Sequence, residues 1–136
     1  MSGITTHVLD AVLGKPAAGI SLRLEMRLDE REPDRWADPS EAVVRIGLMG
    51  LDDGQPNRWI TVGESATDAD GRCRDLANDA GPGLYRLTFS TGAYLARMGR
   101  RSIYPEISIT FTCDGKEHYH LPLLLSDNSY TTYRGS

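Results

Sequence analysis

Near the end of the chain His118 and His120 flank Tyr119 in the run HYHLPLLLS, and the sequence closes on Tyr133, Arg134, Gly135 and Ser136. An imidazole titrates close to neutral pH, so it is the side chain best suited to moving a proton during a reaction. Histidines spaced this way on a strand project in the same direction, which is also the spacing of half a zinc site. No third or fourth ligand is fixed by spacing. Catalysis, zinc binding and a solvated strand face all remain open on these residues alone. The thiols add little. Cys73 and Cys113 lie far apart and form no CxxC motif, so both are read as reduced. The turn TDADG resembles part of a calcium loop but lacks the glutamate and remaining spacing of an EF-hand.

Those residues need elements to carry them. Glycine (14) and proline (7) punctuate short apolar runs, the texture of an all-β sandwich or barrel. ITTHVLDAV reads as a first strand and GKPAAG as a turn. ISLRLEMRL alternates, with Ile20, Leu22, Leu24, Met26 and Leu28 on one face. From Asp29 to Asn57 the chain is charged, then glycine-broken and apolar, and it reads as an elaborated loop with room for one extra hairpin. RWITVGESAT returns to strand character, DADG turns, and RCRDL follows. In GLYRLTFST alternation sends Tyr85, Leu87 and Phe89 to the core. GAYLARMG places Tyr94, Leu95 and Met98 at helical spacing, a single short helix. YPEISITFTC puts Ile107, Ile109 and Phe111 on one face.

The same period of two assigns Tyr119, Leu121, Leu123 and Leu125 to the core. His118, His120, Pro122 and Leu124 then point outward, and the two apolar members leave a strip for something to cover. SDNS is a turn, and YTTYRGS runs back antiparallel. With a loop of about two or three residues, Ser126 pairs with Ser129 or Tyr130, and His120 lies opposite Gly135 or Ser136. Cross-strand β-carbons are about 5 Å apart. In the longer-loop register an imidazole, a hydroxyl and a chain-terminal carboxylate meet on one face.

The composition narrows the classes. The chain has 136 residues, which fits one domain; 40% are hydrophobic and 25% charged, enough for one core and too apolar for disorder. A net charge of −4 without a basic stripe excludes a nucleic-acid partner. Arg97, Arg100 and Arg101 form the nearest basic group, read as a solvated turn. The first residues carry no signal-peptide pattern, and no run approaches the ~20 apolar residues of a membrane span, so a cytoplasmic protein is expected.

Taken with its ending, the chain resembles the 5-hydroxyisourate hydrolases, the transthyretin-related enzymes of urate breakdown. HYHLPLLLS and the terminal YRGS look like that family's closing signature. THVLDAVLGKPA resembles its first strand and turn, TDADGR its arginine-bearing turn, and YPEISITF the strand after its helix. The resemblance spans about residues 4–28 and 65–136. It implies an all-β fold: a two-sheet antiparallel β-sandwich of about eight strands with one short helix. It also implies a homotetramer, a dimer of dimers, with sites in a channel between subunits. By matching position it implies His7, Arg72, His120 and Ser136 as catalytic residues. His7, Arg72, Tyr133, Arg134, Gly135 and Ser136 would contact a small purine derivative whose cyclic amide is hydrolysed, with no metal and no cofactor. The departure is an insertion at about residues 29–60, which precedes Arg72 and bears on its placement. Transthyretin shares this fold and carries small ligands without catalysis, so a binding protein is the alternative. His7, Arg72, His120 and the YRGS ending separate the two.

Overall fold

In the computed structural model, which describes residues 3–28 and 58–136, the alternating runs become strands. They are β1 (Ile4–Asp10), β2 (Lys15–Pro16), β3 (Ser21–Leu28), β4 (Arg58–Ala66) and β5 (Arg72–Ala77), then β6 (Gly83–Phe89). Helix α1 (Thr91–Arg97) follows, then β7 (Ile107–Cys113), β8 (Tyr119–Leu125) and β9 (Tyr130–Thr132). The hairpin expected within 29–57, and any packing of AVVRIGLMGL, lie outside the described residues. Arg58 to Ile60, counted with the insertion in sequence, belong to β4 and pair with Leu28 to Met26.

Two sheets face each other. One runs β4-β3-β6-β7; the other runs β2-β1-β8-β9, with β5 also on β1. The core between them is the alternation made solid: Ile20, Leu22 and Leu24 from β3 and its approach, Tyr85, Leu87 and Phe89 from β6, and Tyr119, Leu121, Leu123 and Leu125 from β8 are all buried. Each fully buried leucine or phenylalanine contributes about 1.5–3 kcal/mol. Among the described strands the pairing is antiparallel except for one pair. β1 and β8 run parallel, Ile4 beside Tyr119 through Asp10 beside Leu125. The connection between them holds most of the chain, so it can make the crossover that a parallel pair requires.

In β1, Ile4, Thr6, Val8 and Asp10 are buried, leaving Thr5, His7 and Leu9 half-buried on the other face. A carboxylate in the core needs partners. Asp10 accepts from the Val12 and Leu13 backbone N–H groups at 3.1 Å, the Tyr94 hydroxyl at 2.8 Å and Arg100 Nη1 at 2.6 Å. Arg100 also donates through Nη2 to Asp127, 2.7 Å away in the β8–β9 turn. One guanidinium therefore ties the end of β1 to the helix and the last hairpin. This corrects the reading of Arg97, Arg100 and Arg101 as a solvated turn: the Arg100 side chain is only 14% exposed, drawn in by two carboxylates. Of the helical trio, Tyr94 and Leu95 are buried, whereas Met98 caps the helix and is 45% exposed.

Burial pushes the Asp10 carboxyl up, but hydrogen bonds from Arg100, Leu13 and Tyr94 and the charge of Arg100 outweigh it and hold it at about 2, below the usual 3.8. A depressed carboxyl stabilises the fold above its unfolded value and loses that contribution as pH falls through its folded one. Arg100→Met leaves the buried carboxylate without its cation, so urea unfolding at pH 7 should show a loss of about 3–5 kcal/mol. The deficit should narrow as pH falls toward about 2, as Asp10 protonates first in the variant and then in the wild type. Equal stability of variant and wild type at pH 7 would mean that the pair contributes nothing.

Candidate active site

The outward faces of β1 and β8 bring the polar residues together. Their register sets Thr5 beside His120 and His7 beside Pro122. Thr5 Oγ1 lies 2.8 Å from His120 Nδ1 and 3.0 Å from His118 Nε2. On the other side of β1, His7 pairs with Arg72 of β5. His7 Nε2 is 3.0 Å from the Asp70 carbonyl, which only accepts; Nε2 therefore carries the proton, and in the neutral ring Nδ1 is the acceptor.

Arg72 is fixed by the turn before it. Asp68 Oδ1 accepts from the backbone N–H groups of Asp70 and Arg72, both at 2.9 Å. These bonds, that of Arg72 first, hold the Asp68 carboxyl below its ordinary range. The Gly71 carbonyl accepts from Val8 at 2.7 Å. Gly71 has φ +75, and a Cβ there would collide with the Val8 carbonyl and stand 3.1 Å from Ala17 N. The turn thus grips β1 directly, and Arg72 sits beside His7 through these local bonds.

The final segment closes the site. Ser126 donates to Ser129, so the loop is the two-residue one, and Gly135 donates to His120 at 2.7 Å. His120 therefore lies opposite Gly135, not Ser136. Pro122 has no N–H to give at the intervening rung, and β9 ends at Thr132. Pro122 does face outward from the core, but it is buried by this returning segment: Thr132 Oγ1 donates to its carbonyl at 2.7 Å. The apolar strip expected from Pro122 and Leu124 is thus reduced to Leu124, 37% exposed. Arg134 turns the other way, its guanidinium 4.3 Å from the Tyr119 ring centroid and 2.8 Å from Glu117. It clamps the segment from the side opposite His120.

Together these residues line an open groove of about 320 Å³. His7, Arg72, His120, Tyr133, Gly135 and Ser136 all reach it, Arg134 borders it with its guanidinium held away on Glu117 and Tyr119, and Leu9 and Leu124 supply apolar wall. Burial first, then the charges of Arg72, His7 and His118, push the His120 imidazole below its ordinary 6.5. It is neutral at neutral pH and able to take a proton. His118 points to Thr5 rather than into the groove, and no group of three or more His, Cys, Asp or Glu able to hold a metal occurs among the described residues. Reading the sequence missed Thr5 and Leu9. Both share the face of His7 by simple alternation, but their partners depend on a pairing that bridges most of the chain.

The HIUase/Transthyretin family model matches residues 4–135. A curated relative, the 5-hydroxyisourate hydrolase of Mus musculus, is 38% identical, covering 99% of this chain and 96% of its own. The solved 5-hydroxyisourate hydrolase of Klebsiella pneumoniae superposes with a TM-score of 0.70 at 31% identity, covering 100% of both chains. Transthyretin from Sparus aurata superposes with a TM-score of 0.75 at 24% identity, covering 99% of this chain and 97% of its own. Backbone likeness therefore does not separate a 5-hydroxyisourate hydrolase from a transthyretin, and the side chains of the groove must.

The electrostatics of the groove can be tested without a ligand. The His120 ring should titrate below 6.5 by NMR, and Arg72→Gln should raise its pKa by removing a neighbouring positive charge. An unchanged value would place the guanidinium outside the imidazole's field.

Proposed function

Because this chain belongs to the HIUase/Transthyretin family, we propose that it acts as its enzymatic members do, hydrolysing 5-hydroxyisourate to 2-oxo-4-hydroxy-4-carboxy-5-ureidoimidazoline in urate degradation. The observation that carries this is the meeting of His7, Arg72, His120 and the Tyr133–Ser136 segment in one groove. A small-ligand carrier needs shape and apolar wall; it does not need a neutral imidazole beside a guanidinium.

The reaction opens a ring by hydrolysis of a cyclic amide. Water loses a proton as its oxygen bonds to the carbonyl carbon, and His120, held neutral, takes that proton. Negative charge gathers on the former carbonyl oxygen, where the Arg72 guanidinium stabilises it. The C–N bond then breaks, the nitrogen receives a proton from the imidazolium, and a carboxyl group remains. His7, fixed through Asp70, orients the water or substrate with Nδ1. Ser136 adds a hydroxyl at the rim, and Tyr133 adds a planar wall for a flat substrate.

The assembly follows from what the groove leaves open. Leu124, Tyr130 and Tyr133 stay exposed along the β8–β9 face, and Val12 and Leu13 beside β1. A homotetramer, a dimer of dimers, would cover such surface and convert an open groove into a channel. Two free, buried cysteines suit the cytoplasm.

Coupling urate oxidase to this protein and following the ultraviolet absorbance of 5-hydroxyisourate should show decay well above the spontaneous rate; no acceleration would favour the carrier. His120→Ala should lower turnover at least ~100-fold with little change in melting temperature, because the ring lies off the core. Gly135→Ala places a Cβ 2.7 Å from His120 Cδ2, so the ring or the strand must move. A misplacement of that kind should cost about 100-fold in turnover. Sedimentation should give the mass of four chains, and a fully active monomer would contradict the shared channel.

A further inference from the structure

We propose that Thr5 is a positioning residue: its hydroxyl, held between two histidines, sets the tautomer in which His120 keeps Nε2 bare for the groove. The inference rests on the hydrolytic reading above and deepens it. Thr5 Oγ1 lies within hydrogen-bond distance of His120 Nδ1 (2.8 Å) and His118 Nε2 (3.0 Å). A hydroxyl has one proton. It can donate to one ring nitrogen only, and it must accept from the other.

Two arrangements satisfy both bonds with neutral rings. In the first, Thr5 donates to His118 Nε2 and accepts from His120 Nδ1–H, so His120 Nε2 is bare. In the second, Thr5 donates to His120 Nδ1, and the proton of His120 sits on Nε2. Nδ1 is turned to Thr5 in both, which leaves Nε2 as the only nitrogen able to serve the groove. The first arrangement holds a base and the second holds none. The direction of the Thr5 hydroxyl selects between them: with its proton donated to His118 Nε2, Oγ1 accepts from His120 Nδ1–H and Nε2 stays bare. His118 lies against Gly3 and Thr5 from the β1 side, with Glu117 next to it in the chain and Arg134 at its carbonyl. His120 is faced by Thr5 and His7 of β1, Arg72 of β5 and Gly135. Among the described residues no Asp or Glu side chain bonds His120 Nδ1 in place of Thr5.

The test compares Thr5→Val with Thr5→Ser. Valine keeps the β-branched shape suited to this half-buried strand position and removes the hydroxyl; serine restores it. Nitrogen-15 NMR of the wild type, above the His120 titration, should show the proton on Nδ1 and a bare Nε2. In Thr5→Val the Nε2–H form should appear and kcat should fall about 10- to 100-fold with KM within about twofold; serine should restore both. A wild-type His120 protonated at Nε2 would overturn the proposal, as would Thr5→Val with unchanged tautomer and kcat. The NMR result needs no substrate. Failure of wild type to consume 5-hydroxyisourate would therefore remove the hydrolytic reading while leaving the tautomer measured.

Discussion

The register of one parallel pair, β1 beside β8, is the constraint on which the site depends. Each strand buries alternate residues: Ile4, Thr6, Val8 and Asp10 on one, Tyr119, Leu121, Leu123 and Leu125 on the other. A slip of one residue would send a whole buried set to the outer face. Thr6 Oγ1 adds a hydrogen bond of 2.6 Å to the Leu121 carbonyl, and the Asp10–Arg100 pair pins the far end. Hydrophobic burial thus fixes the phase of both strands. The outward residues inherit it, so the inner face supplies stability and the outer face gathers the side chains of the groove.

Charge is handled differently in the two places. Inside, Asp10 is matched by Arg100, and the guanidinium continues to Asp127. In the groove, Arg72, His7 and His120 stand together without an Asp or Glu side chain in the lining, although the chain as a whole is acidic at −4. The Arg72 guanidinium, within the field of Asp68 in the preceding turn, also lowers the His120 pKa. That arrangement suits a reaction in which negative charge appears at the reacting carbonyl.

The sequence made much of this legible, because period-two patterning reports the face of each residue. The core residues of β3, β6, β7 and β8 follow it directly, and so does the outward aim of His120. The hairpin count narrowed the neighbour of His120 to Gly135 or Ser136; only the two-residue turn chose between them. What stayed hidden was long-range. Thr5 reads as an ordinary strand residue until β8 is laid beside it. Asp10 and Arg100 look like surface charges until the helix brings them together. Pro122 reads as exposed because the strand that buries it follows it in the chain. His7 and Arg72 were found only through family resemblance, since neither spacing nor composition pairs a first strand with a mid-chain turn.

The central claim is that the neutral His120 imidazole is the base. The pH dependence of kcat/KM reports the essential groups of the free enzyme, so it tests this most directly. The acid limb of kcat/KM for 5-hydroxyisourate should fall at the pH where the His120 ring itself titrates by NMR, below 6.5. A limb that stands clearly away from that titration would assign the base to another group and contradict the account.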